Sequence, residues 1–356
     1  MSVTDPAKAA VPDRGGPRQP LIIAKDLRKH FPVRSGLFGR QTATVHAVDG
    51  VSFEVMKGET LGIVGESGCG KSTTARLLIG LIDIDEGQII FDGDILGHDI
   101  SLKELRHGVQ MVFQDSYASL NPRLTIEDSI AFGPMVQKLG DPRGRARDLM
   151  TKVGLDPARF AHRYPHELSG GQRQRVNIAR ALAMSPRLVI LDEAVSALDK
   201  SVEAQVLNLL NDLREEFGLT YVFISHDLNV VRFISDRILV MYLGEVVEVG
   251  PAETIYARQA HPYTASLFAA MPSMDPDART EEPPLAGDPP NPINPPSGCR
   301  FHTRCKFAED VCAATRPALT PLGGEAGHYA ACHMEIAGSG HSHAAVAHPP
   351  MREAQS

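Results

Sequence analysis

Short, almost wholly apolar runs recur along this chain, each closed by a glycine or a polar cluster: 60–64 (TLGIV), 109–113 (VQMVF), 188–191 (LVIL) and 220–224 (TYVFI). Strands buried on both faces read as continuous runs rather than alternations, so these four predict a parallel sheet in an α/β domain. Residues 21–27 and 51–55 alternate or run apolar and predict two further strands, and the runs on either side of Gly244 predict a hairpin over 237–250. Residues 115–185 are mostly helix-forming, broken by Pro122, Pro134, Pro142 and Pro165, and predict a helical subdomain inserted into the α/β core. Pro262 suits a first helical position, and Tyr263, Leu267, Phe268 and Met271 then share one face.

The pattern divides the chain into a polar tail (1–20), a main domain (21–255), an extension helix with a proline-rich linker (256–297), a cysteine-bearing module (298–336) and a second polar tail (337–356). The linker has polyproline character and is expected to hold the module apart from the main domain. The first twenty residues lack the apolar stretch of a secretory signal, which predicts a protein of the cytoplasm. No apolar run approaches the roughly 18 to 20 residues that span a bilayer, so a membrane role must pass through a partner. A net charge of −7 and the absence of tryptophan give no basic face for nucleic acid.

Of the five cysteines, Cys69 stands apart, while Cys299, Cys305, Cys312 and Cys332 crowd the end of the chain. In a reducing cytosol such a group predicts a metal site rather than disulfides. Its spacing lacks the C-x-x-C knuckles common in structural zinc sites, and four thiolates suit a [4Fe–4S] cluster; Zn²⁺ and four free structural thiols are the alternatives. Arg300, Arg304 and Lys306 are expected to offset the negative charge, with His302, His328 and His333 as outer neighbours or surface residues.

The run Gly65-Glu66-Ser67-Gly68-Cys69-Gly70-Lys71-Ser72-Thr73 joins an apolar strand to a helix, the context in which a G-x-x-x-x-G-K-[ST] loop cradles phosphate with backbone N–H groups. Glycines 65, 68 and 70 let the backbone approach the phosphates, Lys71 is placed to reach the β- and γ-phosphates, and Ser72 to ligate Mg²⁺. Asp192 closes the run 188–191 and suits the magnesium shell; Glu193 beside it suits a general base. Between loop and strand lies Leu168-Ser169-Gly170-Gly171-Gln172. These three features in this order resemble the ATP-binding cassette (ABC) ATPases, over about residues 21–255.

The resemblance implies an α/β P-loop NTPase cassette: a RecA-like core, an antiparallel β subdomain, and an inserted helical subdomain. It implies that Gln114 touches Mg²⁺ and water and relays nucleotide state, and that His226 contacts the γ-phosphate and holds Glu193 and the water. It also implies that Ser169, Gly170, Gly171 and Gln172 act on ATP bound to a second cassette, with 196–199 crossing between the two. The family stacks adenine on an aromatic residue; Phe31 is the candidate here and His46 the runner-up, with a structural role for Phe31 equally open.

Residues 114–122, the tetrapeptide His261-Pro262-Tyr263-Thr264 and the cysteine module are similar to bacterial dipeptide and oligopeptide importers, extending the resemblance to about residue 335. Ser116 and Ala194 stand where that family usually has proline, which bears on loop rigidity rather than on reacting groups. The implied protein hydrolyses ATP to ADP and phosphate at the cytoplasmic face of the inner membrane and powers peptide import. Its implied partners are two transmembrane permeases, a second ABC ATPase subunit in a homo- or heterodimer and, indirectly, an extracytoplasmic peptide-binding protein. Members of this family carry a [4Fe–4S] cluster in the extension. A nickel or other small-solute importer, or a soluble ABC ATPase acting on ribosomes or nucleic acid, are the alternative readings.

Overall fold

The computed structural model describes residues 19–35, 40–271, 290–323 and 327–345. The tail 1–18, most of the proline-rich linker (272–289) and the end 346–356 lie outside the described residues. In chain order the strands are β1 (Pro20–Ser35), β2 (Arg40–Met56), β3 (Thr60–Val64), β4 (Glu86–Phe91), β5 (Asp94–Ile95), β6 (Val109–Val112), β7 (Leu188–Asp192), β8 (Thr220–Ile224), β9 (Arg237–Tyr242), β10 (Glu245–Pro251), β11 (Thr320–Pro321) and β12 (Tyr329–Ala330). Two compact units emerge, one of Met1–Leu27, Ser52–Ile63 and Ser72–Asp236, the other of Arg28–Val51, Val64–Lys71 and Arg237–Ser356.

In the first unit β3, β8, β7 and β6 lie side by side, all parallel, with Leu61 opposite Val222, Ile190 opposite Val222 and Met111 opposite Ile190. Every residue of β3, β7 and β8 is buried, the reason these strands read as unbroken apolar runs. The expected helical insertion is present as helices Ile126–Val136, Pro142–Lys152, Pro157–Phe160 and Gly170–Leu182. Two of its prolines fall where they cost little: Pro142 and Pro157 open helices capped by Asp141 and Asp156, where a missing N–H is no loss. Pro134 sits inside the helix Ile126–Val136. A four-stranded sheet has the order β2-β1-β4-β5. The β-branched residues Val33, Thr42 and Thr44 suit the extended pairing of its first two strands, and the Thr42 hydroxyl donates to the Val33 carbonyl at 3.3 Å.

In the second unit β9 and β10 form the expected antiparallel hairpin, with a register shift between Val246 and Glu248. The C-terminal region continues this sheet: β12 pairs with β10 (Glu248 opposite Ala330) and β11 with β12. The described residues beyond 298 are therefore built into the second unit. Of the segment 337–356 read as a tail, residues to 345 are described, and His341 there is buried with its Nε2 2.8 Å from the Phe307 carbonyl oxygen.

Candidate active site

In the first unit, β7 ends in the buried Asp192, whose Oδ1 accepts a 2.9 Å hydrogen bond from the Ser72 hydroxyl. A hydroxyl and a carboxylate so placed at the start of the helix Lys71–Leu78 are a donor set that suits Mg²⁺. The next residue, Glu193, turns the chain with φ of +49°, and its N–H is fixed by the Ile224 carbonyl at 2.9 Å. Its Oε2 accepts from Gln114 Nε2 at 2.8 Å and lies 3.4 Å from His226 Nδ1. Both neighbours thus meet the same carboxylate oxygen.

Local chemistry fixes the elements that carry these groups. The Ser225 hydroxyl accepts the Asp227 N–H at 3.0 Å, and the Asp227 carboxylate caps the helix Leu228–Ile234, turning the chain directly after His226. Burial raises the Asp227 carboxyl, but hydrogen bonding and the charge of Lys200 outweigh it and hold the group below its ordinary range. The stretch after Gln114 is tied to the helix Gly170–Leu182, since Asn177 Nδ2 donates to the Ser116 carbonyl at 3.0 Å and Arg180 to the Ser119 carbonyl.

That helix opens with a capping box: Ser169 Oγ accepts the Gln172 N–H at 3.3 Å and Gln172 Oε1 accepts the Ser169 N–H at 3.0 Å. The serine hydroxyl retains its O–H for an outside acceptor, beside a positive helix end. Gly171 is demanded by packing: a Cβ there would lie 2.4 Å from Val202 Cγ1, on the helix Lys200–Phe217, whereas at Gly170 the nearest atom, of Leu198, is 3.7 Å away.

The second unit holds the loop 65–71. Lys71 is buried, its Nζ donating to the carbonyls of Gly65 at 2.7 Å and Glu66 at 2.9 Å. Gly65 and Gly70 have φ of +148° and +109°, and a Cβ on them would meet the carbonyl oxygens of Met241 at 2.2 Å and Ala47 at 2.3 Å; no other residue fits. Burial pushes the Cys69 thiol up against the opposing charge of Lys71, so it is an unreactive spacer. A cavity of about 430 Å³ adjoins the loop, lined by Glu66, Ser67, Gly68 and Cys69 and by Pro290 and Pro292. The His46 N–H donates to the Pro292 carbonyl at 3.0 Å, and its ring packs 4.2 Å from that of His30. Phe31 is 38% exposed, with Lys29 Nζ 5.6 Å from its ring centre, so it is no core residue.

Cys299, Cys305, Cys312 and Cys332 line one small cavity together with His302, His333 and aromatic walls. Burial and mutual repulsion push Cys299 up to about 11 and Cys332 up to about 12, and Cys305 in the same direction. Among the described residues the only three metal-binding side chains with ligand atoms mutually within 4.8 Å are His30, His46 and Asp49. Asp49 there also meets Arg28 and Arg300, which occupy it as counter-ions.

Of the residues expected to neutralise the cysteines, the two arginines are otherwise engaged: Arg300 pairs with Asp49 and with Glu245, and Arg304 with Glu66. Lys306 keeps that role, since its charge opposes the upward push of burial on Cys305, while its Nζ lies 5.1 Å from the Phe307 ring centre. His302 Nδ1 lies 2.8 Å from the Cys299 carbonyl oxygen, while His328 is fully buried elsewhere, on Glu248 at 2.8 Å. Sequence reasoning missed Tyr263 and Arg304 as neighbours of the loop. Only the tetrapeptide 261–264 flagged the first, and nothing in the spacing flagged the second.

The ABC transporter family model matches residues 48–196, and that of the oligopeptide/dipeptide transporter C-terminal region matches 247–312. The oligopeptide transport ATP-binding protein AppF of Bacillus subtilis is 49% identical over 326 residues, covering 89% of this chain and 98% of its own. OppF of Salmonella typhimurium, of the same description, is 50% identical over 313 residues, covering 85% and 93%. Among solved structures, cbiO1 of Clostridium perfringens, part of the ABC transporter complex cbiONQ, superposes with a TM-score of 0.58 at 27% identity, covering 70% of this chain and 95% of its own. The dimeric cassette MJ0796 bound to ADP and phosphate gives 0.56 at 31% identity, with 65% and 98% covered.

Proposed function

The chain belongs to the ATP-binding subunits of peptide-importing ABC transporters, and on that premise we propose how its residues divide the work of hydrolysing ATP to drive import. The carrying observation is the convergence of Gln114 and His226 on one oxygen of Glu193, next to the Ser72–Asp192 pair. Glu193 Oε2 takes the Gln114 hydrogen bond, with His226 Nδ1 3.4 Å from the same oxygen, which leaves Oε1 to take a proton from the attacking water. Gln114 and His226 orient that carboxylate, and His226 is also the donor for the γ-phosphate.

Lys71 exchanges the Gly65 and Glu66 carbonyls for the β- and γ-phosphates, and Gly65, Ser67, Gly68, Cys69, Gly70, Ser72 and Thr73 supply the backbone cradle. Ser72 and Asp192 hold Mg²⁺, which neutralises charge on the phosphates. For the base, His46 is favoured over Phe31: its backbone is bonded to the segment that lines the cavity beside the loop, while Phe31 engages Lys29. Ser169 with its free O–H, the N–H groups of Gly170 and Gly171, and Gln172 serve ATP held by a second cassette, homologous or identical.

Because Asn177 and Arg180 tie the Gln114 stretch to the helix that Ser169 opens, a change at Glu193 is passed to that helix and from there to two permeases. An extracytoplasmic binding protein delivers the peptide. The chain then works at the cytoplasmic face of the membrane; among the described residues no helix is long and apolar enough to cross one. Cys299, Cys305, Cys312 and Cys332 would hold a [4Fe–4S] cluster in preference to Zn²⁺, a reading supported by their shared cavity and by the lack of C-x-x-C spacing. Such a group supplies a covalent staple for a module with little apolar core.

The test is reconstitution of the ATPase with its permeases in vesicles. ATP-dependent peptide uptake that disappears with Lys71→Ala is expected; uptake or hydrolysis indifferent to that change would overturn the assignment.

A further inference from the structure

Glu66, the first side chain of the phosphate loop, is held from outside the loop. Arg304 Nη1 donates to its Oε2 at 2.8 Å and Nη2 to its Oε1 at 3.1 Å, a fork-on-fork pair with the arginine side chain only 5% exposed. The hydrogen bond to Glu66, the largest cause, raises the Arg304 pKa and keeps its charge fixed. The Glu66 N–H donates to the hydroxyl of the fully buried Tyr263 at 2.8 Å. Tyr263, Tyr242 and Phe301 form one aromatic cluster with ring centres 4.5 to 5.4 Å apart, and Arg304 lies about 6 Å from the rings of Tyr242 and Phe301. Arg304 itself ends the short 3₁₀ turn His302–Arg304, between Cys299 and Cys305.

We propose that Arg304 and Tyr263 are positioning residues for ATP, through which the C-terminal extension sets the nucleotide affinity of the loop. The inference rests on reading 65–72 as the phosphate loop. Two physical effects carry it. A Glu66 fixed at its N–H, side chain and carbonyl limits the loop to few conformations, and any loss of that order lowers apparent affinity by the fraction of loops in the binding shape. In addition, the Glu66 carboxylate borders the cavity beside the loop, where it repels an incoming triphosphate unless Arg304 neutralises it. The linker between extension and main domain therefore does not isolate the module from the loop, contrary to the expectation from sequence.

The second effect gives a signature that general loosening does not. Arg304→Gln exposes an unpaired carboxylate, whereas Glu66→Gln removes it, so the double variant should bind better than Arg304→Gln alone. Binding of a fluorescent ATP analogue and steady-state hydrolysis are measured on the full chain. Arg304→Gln is expected to weaken binding and raise KM about tenfold with kcat within about twofold, and adding Glu66→Gln to recover at least half of the loss. Tyr263→Phe, which keeps the ring cluster, is expected to weaken binding about threefold and serves if Arg304→Gln does not fold. Wild-type affinity in Arg304→Gln or, failing that, in Tyr263→Phe overturns the proposal, as does a double variant no better than Arg304→Gln. A wild-type chain that binds no ATP, or a Lys71→Ala chain that binds it normally, refutes the phosphate-loop reading itself.

Discussion

Glu193→Gln isolates the proposed base from everything else the carboxylate does. The amide has the same size, its oxygen can occupy the Oε2 position and accept from Gln114 at 2.8 Å, and its NH₂ then stands where Oε1 faces the water. The left-handed backbone, at φ of +49°, suits glutamine no less than glutamate, and the bond from the Glu193 N–H to Ile224 is untouched. Fold and nucleotide affinity should therefore persist. What is lost is proton acceptance in the transition state, worth about 10² to 10⁴ in rate, or about 3 to 5 kcal/mol of barrier. Phosphate release at saturating ATP should fall by that factor, while binding of a fluorescent ATP analogue changes less than about twofold. Cassettes incubated with ATP should elute as a dimer on size exclusion, because the γ-phosphate that joins them is no longer split. Hydrolysis within about threefold of wild type would refute the assignment of Glu193 as base.

Three further outcomes follow from the geometry. Gln114→Ala should reduce peptide uptake in vesicles at least as much as it reduces ATP hydrolysis, and unchanged uptake per ATP would show that Gln114 acts only within the catalytic site. Anaerobically purified protein should contain iron and acid-labile sulfide that Cys305→Ser or Cys312→Ser removes and Cys69→Ser retains; stoichiometric zinc without sulfide would replace the cluster. His261 is buried and neutral, its pKa drawn down by desolvation to about 4. From about pH 6.5 downward the unfolded chain binds a proton that the folded chain refuses, so stability is full above that pH and falls by roughly 3 kcal/mol toward pH 4. Because asparagine still caps the Tyr263 N–H, His261→Asn should remove that loss. A wild-type-minus-variant difference in urea midpoint that stays flat between pH 6.5 and 4 would refute it.

The parts of this fold that the sequence announces are those set by local or periodic chemistry. The runs 60–64, 188–191 and 220–224 are strands because burial on both faces leaves no polar position, and Ser169 with Gln172 is a capping box readable at a spacing of three. What stayed hidden depends on pairs distant in sequence. Arg304 reaches Glu66 across 238 residues and Arg300 reaches Asp49 across 251, and no periodicity records such pairs. The same arginines, read locally, look like counter-ions for the cysteines. β11 and β12 are two residues each, too short for any alternation to show, and only their neighbour β10 gives them a reason to exist.

That neighbour bears on what the extension is for. The outer edge of β10 is capped by β12, the Ala331 N–H donates to the Val247 carbonyl at 2.8 Å, and β11 closes the edge with Pro321, which has no N–H to offer. Glu248, fully buried on β10, spends its carboxylate on His328 and on the N–H groups of Ala260 and His261. A chain cut after the helix Ala252–Ala257 would keep the strand but lose its cover, presenting unpaired N–H and C=O groups beside Val247 and Val249 and a stranded carboxylate. Such an edge is a template for self-association through strand addition. In this chain the extension covers the edge of the sheet it belongs to, and trimming it is expected to yield aggregates before it yields a simpler ATPase.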